Sequence, residues 1–199
     1  MTQSNESQAQ LRQRVAVLED RISGLCASVL RVSASLDLDT VLQEVVDNAR
    51  ALTGARYGVI ATEGDTGMIQ DFVTSGFTPE EREEMAAWSE GPRLFAHFRD
   101  LQAPLRLANL PEYVRKLGFS TSLMRSQTLQ CTPMRHRNVY VGSFFLAEKE
   151  GAPEFTDGDE EVLVLFASQA AAAIANARAR TGTRGGPGRI WRPWWKRRR

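Results

Sequence analysis

The chain has 199 residues, 42% hydrophobic and 25% charged, with a formal net charge of +1 and a mean hydropathy of −0.33. These values fit one globular domain of ordinary size with appendages, and they exclude a collagen-like, disulfide-rich or fully disordered chain. No uninterrupted run of eighteen apolar residues occurs and residues 1–10 lack a signal peptide's apolar stretch, so a soluble, cytoplasmic protein is expected.

Residues 1–10 are polar and are read as disordered. Leu11, Val15, Leu18, Ile22, Leu25, Val29 and Val32 then recur with alternating spacings of four and three, and Gln, Arg, Glu and Asp fill many positions between. That is the seam of a coiled coil over residues 11–36. A stripe this narrow needs a second helix. The partner is either the chain's own domain or, because the stripe begins well before the globular part, the same helix of another copy in a parallel homodimer.

At Asp37-Leu38-Asp39 a new helix begins, with Asp37 or Asp39 as N-cap. Val41, Leu42, Val45, Val46, Ala49 and Leu52 form its apolar face, and Gly54 ends it. Residues 57–62 read as a strand, 64–67 as a hairpin turn and 68–74 as the partner strand. Thr78-Pro79-Glu80-Glu81 starts a helix that runs to Trp88, with proline in the first turn and acids at the positive end of the dipole. Residues 92–101 form a further short helix carrying Leu94, Phe95, Phe98 and Leu101. Residues 104–107 are extended and 111–117 are helical.

Two central strands follow, at 123–135 and 139–148. In the second, Tyr140, Phe144 and Leu146 are expected on one face and Val139, Val141 and Phe145 on the other. A strand apolar on both faces is covered on both sides. Thr156 caps the last helix, with Asp157, Asp159, Glu160 and Glu161 near its N-terminus. Leu163, Phe166, Ala170, Ala173 and Ala177 form its seam, where small residues let another helix approach closely. The two cysteines, Cys26 and Cys131, lie far apart without a metal-ligand neighbour and read as packed thiols.

Pro133-Met134, Gly142 and Leu146, followed by Phe155-Thr156, Asp159 and Leu163, carry a resemblance. Over residues 30–180 the chain resembles the GAF family of small ligand- or signal-sensing domains. The resemblance implies an α+β fold, an antiparallel sheet flanked by helices, with helices at both ends of the chain that dimerise. It also implies a pocket between the sheet and the helical segment over it, here residues 77–122. Trp88, Phe95, His97, Phe98, Tyr113 and Phe119 lie in that segment, and Phe72, Met124 and Cys131 on strands supply a floor. Such an aromatic layer is either a ligand cavity or the second hydrophobic core of an ordinary domain.

Some GAF sensors hold haem through one histidine, which makes His97 the candidate ligand, yet a lone helical histidine is more often a packed side chain. His136, between two arginines at a hairpin tip, is expected to be solvated. The Asn-Lys-x-Asp-Glu constellation of cyclic-nucleotide-binding members and a bilin-attachment cysteine are not evident. Neither is a phosphate loop nor a nucleophile–base pair, so the domain of residues 37–180 is read as non-catalytic, with its small-molecule ligand unidentified.

Residues 181–199 differ from everything before them. They hold seven Lys or Arg, no acidic residue and three of the four tryptophans, which leaves residues 1–180 with a formal charge of −6. One reading is a disordered basic tail that binds nucleic acid or anionic membrane. Another is a shifted reading frame. Tryptophan has one codon, so the bases under Trp191, Trp194 and Trp195 are fixed. Read one base earlier, residues 189–197 permit Asp-Leu-Glu-Ala-Leu-Val-Glu-Thr, and residues 181–184 permit Tyr-Arg-Asp-Glu. Those alternatives are helical and acidic, like the linker that leads from GAF to PAS domains in bacterial sensor histidine kinases. The expectation is a sensor fragment whose output domains are missing.

Overall fold

The computed structural model describes residues 38–64, 69–122 and 124–181. The seam from Leu11 to Val32, the centre of the 64–67 turn and residues 182–199 lie outside the described residues. Helix α1 spans Leu38–Thr53, β1 Ala55–Glu63 and β2 Ile69–Ser75. They are followed by α2 (Pro79–Ala87), α3 (Gly91–Arg99), β3 (Leu105–Leu107) and α4 (Leu110–Lys116). The chain closes with β4 (Leu129–His136), β5 (Val139–Lys149) and α5 (Asp157–Thr181).

The strands form one antiparallel sheet in the order β2-β1-β5-β4-β3. The doubly apolar β5 is its centre, as a strand covered on both faces should be. Helices flank the sheet on both sides, so the α+β class expected from the sequence is the observed one.

On one face α1 and α5 pack over the sheet around Leu42, Val46, Ile60, Met134, Phe144, Leu146, Leu163 and Ile174. Ala49, Ala167, Ala170 and Ala171 are buried in the same core, so the small residues of α5 let α1 of the same chain approach. Gly58 allows α1 to come close to β1, because a Cβ there would lie 2.6 Å from Cγ2 of Val46. By length and composition α5 also has what a membrane span would need, since an 18-residue window within Asp157–Ala179 has a mean hydropathy of 1.4. A third of that window is buried, and its buried apolar residues, Leu163, Phe166, Ala167, Ala170, Ala171 and Ile174, belong to this core.

Turn chemistry sets several boundaries. Gly54 follows α1 with φ +63°, the left-handed conformation of a helix C-terminus. The β4–β5 hairpin turns on Arg137 and Asn138, both at positive φ (+49° and +66°), as a two-residue primed turn requires. At the start of α5 the Thr156 and Asp159 side chains bond reciprocally to each other's N–H at 3.2 and 2.8 Å.

Helix α1 starts at Leu38 with Asp39 inside its first turn, and Asp37, the other N-cap candidate, lies outside the described residues. Three expectations are corrected. Leu52 is 67% exposed, and Thr53 takes the buried place, its hydroxyl donating to the Ala49 carbonyl at 2.8 Å. Strand β4 begins at Leu129, not 123. Upstream, the Met124 N–H is turned onto Thr121, the Gln127 carbonyl accepts from Leu110 and the Gln127 N–H donates to Glu148, so these groups are not in the ladder.

The third correction is one of facing. Met134 pairs with Gly142 but Arg135 pairs with Tyr140, which leaves Val141 as an extra residue in β5. This bulge inverts the alternation. Val141 joins Phe144 under α1 and α5, while Tyr140 stands on the α3 side, its ring 5.9 Å from the Arg99 guanidinium.

Candidate functional site

The other face of the sheet is covered by α2, α3, α4 and the segments that join them. Its core holds Val59, Ala61, Leu94, Phe98, Leu110, Val114, Leu129, Cys131 and Phe145. Between this layer and the sheet lies a cavity of about 160 Å³. Tyr57 and Val59 of β1, Leu129 of β4, and Phe145 and Ala147 of β5 form its floor. The roof comes from Phe77, from Glu81, Glu84 and Met85 of α2, from Trp88, from Leu94, Phe95 and Phe98 of α3, and from Leu110 of α4. Met124, Arg125 and Ser126 close the side.

Aromatic packing fixes the walls. The rings of Phe95 and Phe98 meet Phe145 edge-on, with centroids 5.2 and 5.4 Å away. Phe77 lies 4.6 Å from Tyr57. All three separations are in the range where the ring quadrupoles attract.

Polar groups gather at one corner. The Tyr57 hydroxyl donates to Oε1 of Glu81 at 2.7 Å, and the Arg56 guanidinium is 3.5 Å from the same oxygen. The other oxygen of Glu81 accepts the Thr78 N–H at 2.9 Å, while the Thr78 hydroxyl accepts the Glu81 N–H, a capping box that starts α2. The Thr78 N–H first, and then the Tyr57 hydroxyl, hold the Glu81 carboxyl below its ordinary value of 4.5, so it is an anion at neutral pH. Burial pushes the Tyr57 phenol up, and Glu81 adds to the rise. Next to this pair Glu84 and Arg125 form an ion pair at 2.6 Å.

Of the nine pocket residues expected from the sequence, Trp88, Phe95, Phe98 and Met124 line the cavity. Phe72 lies beside it, its ring 5.0 Å from Phe95, and Tyr113 and Phe119 pack into the surrounding apolar layer. Cys131 is 1% exposed under that layer, where burial pushes its thiol up to about 12, far from a nucleophile's range. His97 does not line the cavity. Its Nε2 is 3.0 Å from the Tyr113 hydroxyl, which occupies the nitrogen that a haem iron would need. His136 is half-buried rather than solvated. Among the described residues no group of three or more His, Cys, Asp or Glu side chains is placed to hold a metal ion.

The polar corner was not legible in the sequence. In the sequence Glu81 is an acid at the positive end of a helix dipole, and Tyr57 is a strand residue. Only the fold brings residues 57, 81, 84 and 125 together.

A family model described as GAF domain matches residues 35–175. Among solved structures, the GAF domain from a phosphoenolpyruvate-protein phosphotransferase of Coxiella burnetii is 19% identical. Its TM-score is 0.57, and the match covers 81% of this chain and 95% of that one. A GAF domain/HD domain protein from Geobacter sulfurreducens is 20% identical with a TM-score of 0.56, over 74% of this chain and 97% of the other. A domain assigned to a two-component sensor histidine kinase protein of Sinorhizobium meliloti 1021 is 16% identical with a TM-score of 0.55, over 75% and 99%. At these identities the likeness is one of fold. Because the family model spans more than half of the sequence, the chain belongs to the GAF domain family.

Proposed function

We propose that this chain is a non-catalytic sensory module that binds a small molecule in the cavity and passes its presence on to α1 and α5. GAF domains are generally regulatory modules without catalysis. The observation that carries the reading is the cavity itself, about 160 Å³ and so sized for a small ligand, with the mostly apolar walls and few convergent polar groups of a small-molecule site. The central strand supports the relay. Phe145 and Ala147 line the cavity, and the alternate residues Phe144 and Leu146 pack under α1 and α5. A ligand shifts this arrangement only if it binds two settings of the strand and helices with different affinity.

In this proposal the domain of residues 37–180 works in the cytoplasm as a homodimer joined by the 11–36 seam. It is the sensor fragment of a histidine kinase, a context in keeping with the Sinorhizobium meliloti domain of the same fold. The seven basic residues and three tryptophans of residues 181–199 favour a second reading, a dimer that holds nucleic acid or anionic membrane by its tail.

The cavity is tested by filling it. Single-ring compounds screened by thermal shift should include some that raise the melting temperature of the wild type and leave Ala147→Phe unmoved, with circular dichroism confirming that the variant folds. Hits that stabilise both proteins equally would place binding elsewhere and sink the proposal.

A further inference from the structure

The cavity has a size, a charge balance and a direction, and together they limit what enters. Its volume of about 160 Å³ is close to the roughly 150 Å³ that accommodates a benzene ring in an engineered apolar cavity. At the corner, Glu81 is opposed by Arg56 and Glu84 by Arg125, so two carboxylates face two guanidinium groups. Each carboxylate is thus already matched by a guanidinium, and an ionised ligand would give up its hydration against the mostly apolar walls without a free countercharge to replace it. The charge balance selects a neutral molecule.

The rings of Phe95, Phe98 and Phe145 offer edges and faces to a planar group. Glu81 already accepts from Tyr57 and Thr78. Glu84 and Arg125, whose side chains are 45% and 56% exposed, retain room for another partner. A hydroxyl there donates to the Glu84 carboxylate and accepts from the Arg125 guanidinium, satisfying both.

We infer that the cavity takes a neutral single-ring aromatic molecule bearing one hydroxyl or ring N–H, its ring among Phe95, Phe98 and Phe145 and its polar atom at the Glu84–Arg125 pair. This inference rests on the reading of the cavity as a ligand site. Phenol and indole represent the class.

Calorimetric titration of the full chain with phenol, toluene, benzoate and benzyltrimethylammonium separates the two claims. Phenol should bind about tenfold more tightly than toluene, the worth of one hydrogen bond to a charged group, and at least that much more tightly than either ion. In Glu84→Ala the phenol affinity should fall to that of toluene, while toluene itself binds unchanged, which shows the cavity intact. If toluene matches phenol in the wild type, or an ion binds best, the ligand class is wrong and the cavity stands as a site. If none of the four binds at about 1 mM, the affinity expected of even a weak ligand, the cavity is not a ligand site and the inference fails with it.

Discussion

Phe144 is fully buried and Phe166 is 7% exposed, and both belong to the core that joins the sheet to α1 and α5. Truncating either to Ala should cost about 3–5 kcal/mol, from lost transfer energy and the cavity left behind; denaturant melts read this directly, and a loss under about 1 kcal/mol would contradict the packing. Asp159 couples three elements through charge. Its carboxylate is 3.0 and 2.9 Å from Nζ of Lys149, which also donates to the Thr53 carbonyl at 2.6 Å, and it accepts the Thr156 N–H at 2.8 Å. Burial alone would raise its pKa, but the Thr156 N–H, the Lys149 ammonium and the Thr156 hydroxyl together hold it below the ordinary 3.8. A depressed acid stabilises the fold fully above its unfolded pKa, and that contribution disappears as pH falls through the lower folded value. Asp159→Asn should therefore lower the denaturant midpoint at neutral pH, with the gap to wild type closing as pH falls below the ordinary 3.8 and through the lower folded value. A gap that stays constant over this range would show that the carboxylate's charge is not what matters.

Helix α2 depends on polar contacts more than on burial. Its sequence is dominated by Glu and Arg, Met85 is its apolar contribution to the cavity wall, and Glu81 ties it to β1 through Tyr57. Replacing Tyr57 by Phe removes that tie while keeping the ring, and amide exchange in α2 should accelerate by roughly tenfold, with α5 unaffected. Equal acceleration in both helices would indicate global destabilisation instead of a loosened roof. Such a helix is easy to locate from sequence because Thr78, Pro79 and Glu81 spell out its start. The same holds for α1 with Gly54 and for α5 with Thr156 and Asp159, since caps and breakers are local chemistry. Facing along β5 was only half legible, because whether Val141 or Tyr140 turns inward depends on a bulge set by pairing with β4. The aromatic half of the cavity was visible as Trp88, Phe95 and Phe98 concentrated in one segment. The polar half depends on contacts between residues as far apart as 57 and 125, which no single segment displays.

At the scale of the whole molecule, the sheet separates a ligand-sized space from the first and last helices of the domain, α1 and α5. In the proposed homodimer the 11–36 seam joins two copies. Leu18→Glu with Ile22→Glu should give monomers in light scattering, and a wild type already monomeric at about 10–50 µM, an ordinary range for weak association, would rule out the 11–36 seam as a dimer contact. Downstream, residues 182–199 follow α5 with four glycines, two prolines and no apolar periodicity. From that composition we propose that the segment adds nothing to the stability of the domain. Deleting it should leave the melting temperature unchanged while abolishing salt-sensitive binding to polyanions, because its seven cationic side chains supply that attraction. A clear drop in melting temperature would mean that the tryptophans dock on the domain. A product of a shifted frame has no reason to encode a fitted surface, so that result would favour a tail shaped for binding over the remnant of a longer sensor.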